Sequence, residues 1–503
     1  KEDKRFYSGN WKKAKNENEV HLNGVVIIRR MDYWKVLGYD ERIQTYGWDD
    51  EDLYTRLEHS GLERKDVDYQ YVSHVQHDDK ARAQTGVRFV EVEVDFNRVL
   101  LDKMDKWSPE FIKTEGFQPS SYAVEQNTAN YGIIKANHKP QSLLQLTAPS
   151  FAREAWDLGL GRRLHDEYGT PWNIIVSLDT KSRENLLASL MKYEAELKEY
   201  AEEDTPEAEL KPSILMAHVQ HGLGNRLRAL GSALAFAKAT RRGLIIIWEQ
   251  DSHVQAKMSD LFNTSHLSVM SELKPKWPFT DEAKWDKAWE KIDSYNYMEA
   301  EGPGAVKGQQ VVDKPGRPIY FRGAYVMENA KVGWRDENEA LKSLPLHPEV
   351  EQILAKFNSV SWEDVVSVHI RNRVLSDDIK SVDPGKEYGQ QALGTIDSWR
   401  QKSNYANFVP KLQKEVEANP KAKFYVAADT VDVYPKLRET FGDRIIDLPR
   451  TCDSRELECI RYALADMLLL AKGKYLLGSG WSSFTECAAR FGGFKYQLAG
   501  KDF

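Results

Sequence analysis

The chain has 503 residues, 41% hydrophobic and 29% charged, which is long enough for two to four domains. Its formal net charge of −7 argues against a general nucleic-acid surface, and no run approaches the ~20 apolar residues of a membrane span. Three cysteines (Cys452, Cys459 and Cys487) are too few and too late for a disulfide scaffold, so one bridge and a fully reduced interior both stay open.

The opening KEDKRFYSGNWKK has no initiator Met and no signal peptide, and it reads as the middle of a protein; a piece of a longer chain is expected. Val20–Ile28 is expected as a strand carrying a glycine and Met31–Leu37 as a short helix. Gly38-Tyr39-Asp40-Glu41 reads as a turn. After Tyr46-Gly47-Trp48 a helix opens on four consecutive acids, Asp49-Asp50-Glu51-Asp52, and ends near Gly61. The helix dipole by itself favours acids there. Tyr69–His77 then brings His74 and His77 beside Asp78 and Asp79, a pairing that spacing alone does not make a metal site.

Taken in this order, these motifs resemble the C-terminal half of GT-A glycosyltransferases, of the galactosyl and N-acetylgalactosaminyl type with a W-G-x-E-D-x-D motif. The resemblance implies Asp50 as general base for an acceptor hydroxyl, Trp48 and Asp49 as acceptor contacts, and Asp52 as the motif's later acid. It also implies His77 (or His74) as a ligand of a Mn²⁺ ion. Asp49 stands where the family usually has Glu. The nucleotide-binding half and its D-x-D motif would precede this segment, so residues 1–95 are expected to be an incomplete GT-A-like module.

Residues 96–210 read as a mixed, partly helical connecting region. Trp107–Leu146 shows no clear period, and Trp172–Leu178 has the composition of a strand. Leu186, Leu190, Tyr193, Leu197 and Tyr200 form a helical stripe of the packing kind. It decays into Glu202-Glu203-Asp204-Thr205-Pro206-Glu207, the expected linker.

A new unit is expected from residue 211, with a first lobe over 211–345. Ser213–Ala217 is a buried strand, Arg226–Thr240 a helix, and Leu244–Trp248 a second strand, together one βαβ unit. Gly222 and Gly224 lie in the turn at the first strand's C-terminal edge, where open α/β sheets bind ligands. They allow close backbone approach, and the helix N-terminus offers N–H groups to an anion. Arg226 and Arg228 put positive charge where the dipole does not favour it, which an anionic diphosphate would justify. There is no third glycine of a dinucleotide fingerprint and no Gly-Lys-Ser/Thr of a P-loop, so NAD binding and ATP hydrolysis lose ground. Asn263-Thr264-Ser265 is a glycosylation sequon only in a secreted protein, which leaves the compartment open between cytoplasm and Golgi or ER lumen. Trp277, Trp285 and Trp289 suit a half-buried surface helix, or an acceptor lobe. Ile319–Val326 returns to strand character.

The second lobe, 346–503, repeats the alternation. Asp364–Ile370 is a strand ending in His369-Ile370-Arg371-Asn372-Arg373. Tyr405–Val416 is a helix, and Lys423–Ala428 a strand reaching Asp429. Arg444–Leu448 is a strand and Cys459–Ala471 a helix. Tyr475–Gly478 then feeds Ser479-Gly480-Trp481-Ser482-Ser483-Phe484-Thr485 and a further helix, Glu486–Arg490. Arg371, Asp429 and the hydroxyl-rich helix start thus fall at strand ends, where they can meet in one crevice suited to a diphosphate. Singly, a salt bridge, a cap and an N-cap would explain them.

Gly222-x-Gly224-Asn225 with Leu230, Ala233 and Ala235 downstream, then His369-x-Arg371, Val426-Ala427-Ala428-Asp429 and Ser482-Ser483-Phe484-Thr485, resemble the GDP-fucose-dependent fucosyltransferases of the protein O-fucosyl, core α1,6 and nodulation-factor types. The resemblance implies the GT-B fold of two Rossmann-like lobes, so the whole chain is expected to be α/β. It places Gly222, Gly224, Asn225 and Arg226 at the donor cleft, Arg371 on the β-phosphate, and His369 as an orienting group. It puts Asp429 near the nucleoside, and Ser482, Ser483, Phe484 and Thr485 on the phosphates and base. Asn372-Arg373 departs from the Arg-Arg-Asp or Arg-x-Gly of many relatives. The implied reaction is inverting, metal-independent transfer of fucose from GDP-fucose to a glycan or glycoprotein hydroxyl. Two rivals stand beside it: a bifunctional enzyme using both ends, and a non-catalytic glycan- or nucleotide-binding scaffold.

Overall fold

The computed structural model describes residues 4–43, 46–74, 89–115, 122–126, 132–136, 149–202, 204–273, 290–298, 306–374, 390–449 and 454–503. His77, Asp78, Asp79, Trp277, Trp285, Trp289 and Cys452 lie outside the described residues. The chain divides into two compact units, Lys1–Arg163 and Leu164–Phe503.

In the first unit, strands β1 (Arg5–Ser8), β2 (Val26–Ile27) and β3 (Glu63–Asp66) form a sheet in the order β2-β1-β3. β1 runs antiparallel to β2 and parallel to β3. Helix Asp49–His59 buries Leu53, Tyr54 and Leu57 with Phe6 and Val36. The strand expected over Val20–Ile28 shrinks to Val26–Ile27. Asn16 accepts the Glu19 N–H at 3.0 Å and nucleates a helical turn, Glu17–Val20, in place of its first residues. The stretch expected to have no period contains helix Pro109–Glu115 and an antiparallel hairpin of β4 (Tyr122–Gln126) and β5 (Gly132–Ala136).

The second unit holds two five-stranded, all-parallel sheets. The first is built from β6 (Ile214–Val219), β7 (Gly243–Ile247), β8 (Ser268–Met270), β9 (Asp293–Asn296) and β10 (Ile319–Gly323), in the order β8-β7-β6-β10-β9. The second comprises β11 (Val365–Ile370), β12 (Lys423–Ala428), β13 (Ile445–Asp447), β14 (Leu476–Gly478) and β15 (Tyr496–Leu498), in the order β13-β12-β11-β14-β15. Every residue of β6 and of β11 is buried, as strands covered on both faces require. In each sheet the chain changes direction of winding at the central strand, β6 or β11, and that is where an open α/β sheet presents a crevice. Two Rossmann-like lobes that face one another are the GT-B architecture expected from the sequence.

One apolar core runs through both lobes, from Leu215 and Leu227 to Leu464 and Ala488. Buried polar contacts join them as well. Arg490 Nη2 donates to Glu337 Oε2 at 2.6 Å and its Nε to Asn338 Oδ1 at 2.7 Å. Arg228 Nη1 donates to Glu486 Oε2 at 2.8 Å.

Two further features, both in the second unit, differ from the sequence reading. Trp172–Leu178 is not a strand but the helix Trp172–Ser177, entered from Pro171 and burying Ile174 and Ile175. Helix Thr180–Glu199, capped by Asp179 accepting the Ser182 N–H at 2.7 Å, belongs to the second unit. Its Leu186 and Leu190 lie against Gly243 on β7, where an added Cβ would come within 2.8 Å of Leu186. The acidic stretch after it therefore lies inside that unit, and the boundary falls upstream at Arg163. Among the described residues, no helix is long and apolar enough to cross a membrane.

Candidate active site

The cleft of the second unit encloses about 710 Å³ and is lined by the C-terminal ends of both sheets, a volume within the usual range for small-molecule sites of about 300–1,000 Å³. Helix Leu223–Ala239 starts there from the end of β6, and helix Ser483–Gly492 starts there from the end of β14. Their first internal bonds are Arg226 N–H to Gly222 O and Glu486 N–H to Ser482 O. The N–H groups of Leu223, Gly224 and Asn225, and of Ser483, Phe484 and Thr485, thus have no partner within their helices. The two helix starts press on each other. A Cβ on Gly224 would lie 2.8 Å from the Ser483 carbonyl carbon and 2.9 Å from the Phe484 nitrogen. Cys487 Sγ donates to Gly224 O at 3.1 Å, and burial pushes its thiol pKa up to about 12, so it stays a donor.

Arg371 lines the same cleft, half-buried just past the end of the central strand β11. Its backbone is fixed: Arg371 N–H donates to Ser479 Oγ at 2.8 Å, and Ser479 Oγ donates to His369 O at 3.0 Å. Its guanidinium faces the cleft with no carboxylate partner among the described residues. The neighbouring cations are engaged, Arg228 with Glu486 and Arg373 through Nη2 with Asp429 O at 2.8 Å. His369 is buried, stacked on Phe484 at 4.7 Å between ring centres, with Nδ1 2.7 Å from Thr485 Oγ1. Thr485 Oγ1 donates in turn to Ser479 O at 3.2 Å. Ser482, the N-cap of its helix, makes no capping bond, and its buried Oγ has no hydrogen-bond partner among the described residues.

Gly222, Gly224, Asn225, His369, Arg371, Asp429, Ser482, Ser483, Phe484 and Thr485 all line this one cleft. Asp429 does so while its Oδ1 accepts the Asn372 N–H at 3.0 Å and its Oδ2 the Arg373 N–H at 3.2 Å, which moulds the turn after Arg371. Arg226 does not face the cleft. It is fully buried, donating to His221 O at 2.7 Å through Nε and to Asp251 Oδ2 at 2.6 Å through Nη2, with Nη1 on Glu249 O. Its charge holds the glycine turn from beneath. Of the two arginines read as facing an anion, Arg228 lines the cleft, where it links the two helices through Glu486; the residue that sequence reasoning missed is Ser479, which ties β11 to β14. Ser479's position at a strand end was the available signal.

In the first unit, Trp48 adopts the left-handed conformation (φ 68°) at the start of helix Asp49–His59, with Arg98 5.9 Å from its ring. Asp50 Oδ1 accepts from the Tyr39 hydroxyl at 2.9 Å, and a Cβ on Gly24 would lie 3.2 Å from Asp50 Oδ2. Burial, and then the Asp49 carboxylate, push the Asp50 pKa up to about 6. Asp52 is spent on structure: it pairs with buried Arg56 at 2.7 Å, whose Nη1 also holds Val36 O and Gly38 O. His74 donates its backbone N–H to Asn18 Oδ1 and stacks on His21 at 4.8 Å. Among the described residues, no three His, Cys, Asp or Glu side chains come together as a metal site.

Residues 6–78 match the family model described as the N-terminal domain of galactosyltransferase. No curated protein matches the chain. Solved structures similar to it include NodZ α-1,6-fucosyltransferase soaked with GDP-fucose, at 17% identity over 56% of this chain and 93% of that one, TM-score 0.35. NodZ from Bradyrhizobium itself matches at 17% identity over 55% and 93%, TM-score 0.35. POFUT1 in complex with GDP-fucose matches at 16% identity over 57% and 98%, TM-score 0.36. A mutant of Arabidopsis thaliana FUT1 in complex with GDP matches at 17% identity over 62% and 78%, TM-score 0.37. The family match over residues 6–78 covers the motifs around Asp50 on which the resemblance to galactosyl-type glycosyltransferases rests.

Proposed function

We propose that the second unit transfers fucose from GDP-fucose to a hydroxyl of a glycan or glycoprotein, with inversion and without a metal. The observation that carries this reading is the Arg371 guanidinium, without a carboxylate partner among the described residues, in a cleft that two helix N-termini also line. A diphosphate is the ligand such a set of fixed donors suits. The relatives solved with GDP or GDP-fucose supply the nucleotide named here. In the reaction, the bond from the sugar C1 to the β-phosphate oxygen breaks and both electrons stay on the diphosphate. The acceptor oxygen bonds to C1 from the opposite face, and its proton leaves to solvent. Arg371 and the N–H groups of Leu223–Asn225 and Ser483–Thr485 neutralise the departing charge, the term that such sites use most. Arg371→Ala should abolish GDP-fucose cleavage while leaving the melting temperature near that of the parent. Retained cleavage would refute the assignment.

A second reading, in which the first unit is also a transferase in the full-length protein, is favoured by Asp50: a carboxylate near pH-neutral titration beside Tyr39 is poised as a base. A Mn²⁺ ion there would need ligands beyond the described residues, and no step is assigned to it. UDP-galactose or UDP-N-acetylhexosamine cleavage that depends on Asp50 would establish this activity; its absence in the full-length protein would remove it.

A further inference from the structure

Trp481 is the cleft residue whose placement nothing in the fold explains. It is 60% exposed and sits at φ 52°, in the left-handed region that a residue with a Cβ adopts only at a cost. Glycine or asparagine would take that conformation more easily. Its indole has no hydrogen bond, ring contact or cation contact among the described residues. The segment around it is nonetheless rigid. Ser479 is tied to β11, and Gly480 packs on the Trp399 ring, where an added Cβ would come within 2.2 Å. A large apolar ring held out at the rim of a cleft, on strained backbone, points to something that covers it.

We infer that Trp481 is the platform on which a neutral pyranose ring of the acceptor oligosaccharide stacks. The inference rests on the reading of the cleft as a nucleotide-sugar site. Strand order supplies the direction. β11, which ends in Arg371, lies between β12, which ends in Asp429, and β14, which leads to Trp481. Neighbouring strands are about 4.8 Å apart. With the diphosphate at Arg371, Trp481 follows the neighbouring strand β14, on the side away from Asp429, and lines the same cleft. Anions have no reason to seek an uncharged indole. A flat apolar face with a spare N–H suits a ring that presents C–H groups flanked by hydroxyls. Tyr496, 41% exposed on the next strand out, β15, lines the same cleft and offers a second aromatic surface in that direction.

The test labels the full chain with 5-fluorotryptophan and identifies the Trp481 fluorine resonance by its loss in Trp481→Phe. The labelled chain is saturated with GDP, binding being read by calorimetry on the same sample, and then titrated with lactose, N-acetyllactosamine, chitotetraose and mannotriose. The Trp481 resonance should stay in place with GDP alone and move with at least one of the saccharides. Movement with GDP alone, or none with any saccharide while GDP is bound, overturns the platform and leaves the transferase reading intact. Absence of GDP binding is the separate result that counts against the transferase reading itself.

Discussion

Gly222 and Gly224 lie two residues apart, yet the structure predicts opposite outcomes when each receives a methyl group. At Gly224 the new Cβ would lie 2.8–2.9 Å from backbone atoms of Ser483 and Phe484, none of which can rotate away. Ordinary contact begins near 3.4 Å, so the two helix starts must part by about 0.5 Å. Overpacking of this kind costs about 1–3 kcal/mol, which for a unit of this size lowers Tm by about 1–4 °C. The same movement weakens a charge-assisted hydrogen bond worth about 1.5–3 kcal/mol, so GDP affinity should fall about tenfold or more. At Gly222 an added Cβ meets nothing within 4 Å, and the backbone (φ −65°, ψ 163°) suits alanine. Gly222→Ala should therefore hold Tm or raise it slightly, through a gain of about 0.4–1 kcal/mol from the unfolded chain. Thermal melts of both variants with a calorimetric GDP titration of Gly224→Ala make the comparison. A Gly224→Ala chain with parental Tm and parental GDP affinity would refute the close apposition of the two helices.

Arg226→Met leaves half-buried Asp251 and two carbonyls without their donor, so it should cost about 1–3 kcal/mol of stability, seen as a lower Tm, whereas Arg371→Ala should cost activity instead. The Asp50 pKa, about 6 in the folded state against 3.8 for the free side chain, means that the folded state binds its proton more tightly. Stability of the first unit should then fall as pH rises from about 4 to 6. Asp50→Asn should melt higher than the parent at pH 7 and equal to it below pH 4; a lower melt at pH 7 would contradict the burial of that carboxylate.

The strands and helices that build the cleft were legible because apolar runs end in glycine- or hydroxyl-bearing turns, as at Val219–Gly222 and Gly478-Ser479. Arg226 was misplaced because its charge was read without its direction. Residues two apart on a helix point about 200° away from each other, so Arg226 and Arg228 cannot both face one ligand; Arg228 reaches the cleft and Arg226 the interior. Trp172–Ser177 was ambiguous because a short apolar run has no period of its own, and Pro171 was the better guide to a helix start. Val90-Glu91-Val92-Glu93-Val94 alternates as a strand would, yet it opens helix Val90–Lys103, with Val92 packed on Gly159 and Phe96 on Trp156. Such tertiary contacts between distant segments have no local signature. The same holds for Ser479, whose role appears only when β11 and β14 are side by side.

The most direct measurement is the structure of this chain with GDP bound. The account predicts diphosphate oxygens within about 2.7–3.2 Å of the Arg371 guanidinium and of N–H groups in the first turns of helices Leu223–Ala239 and Ser483–Gly492. A nucleotide bound away from Arg371, or a diphosphate facing only one of the two helix starts, would contradict it.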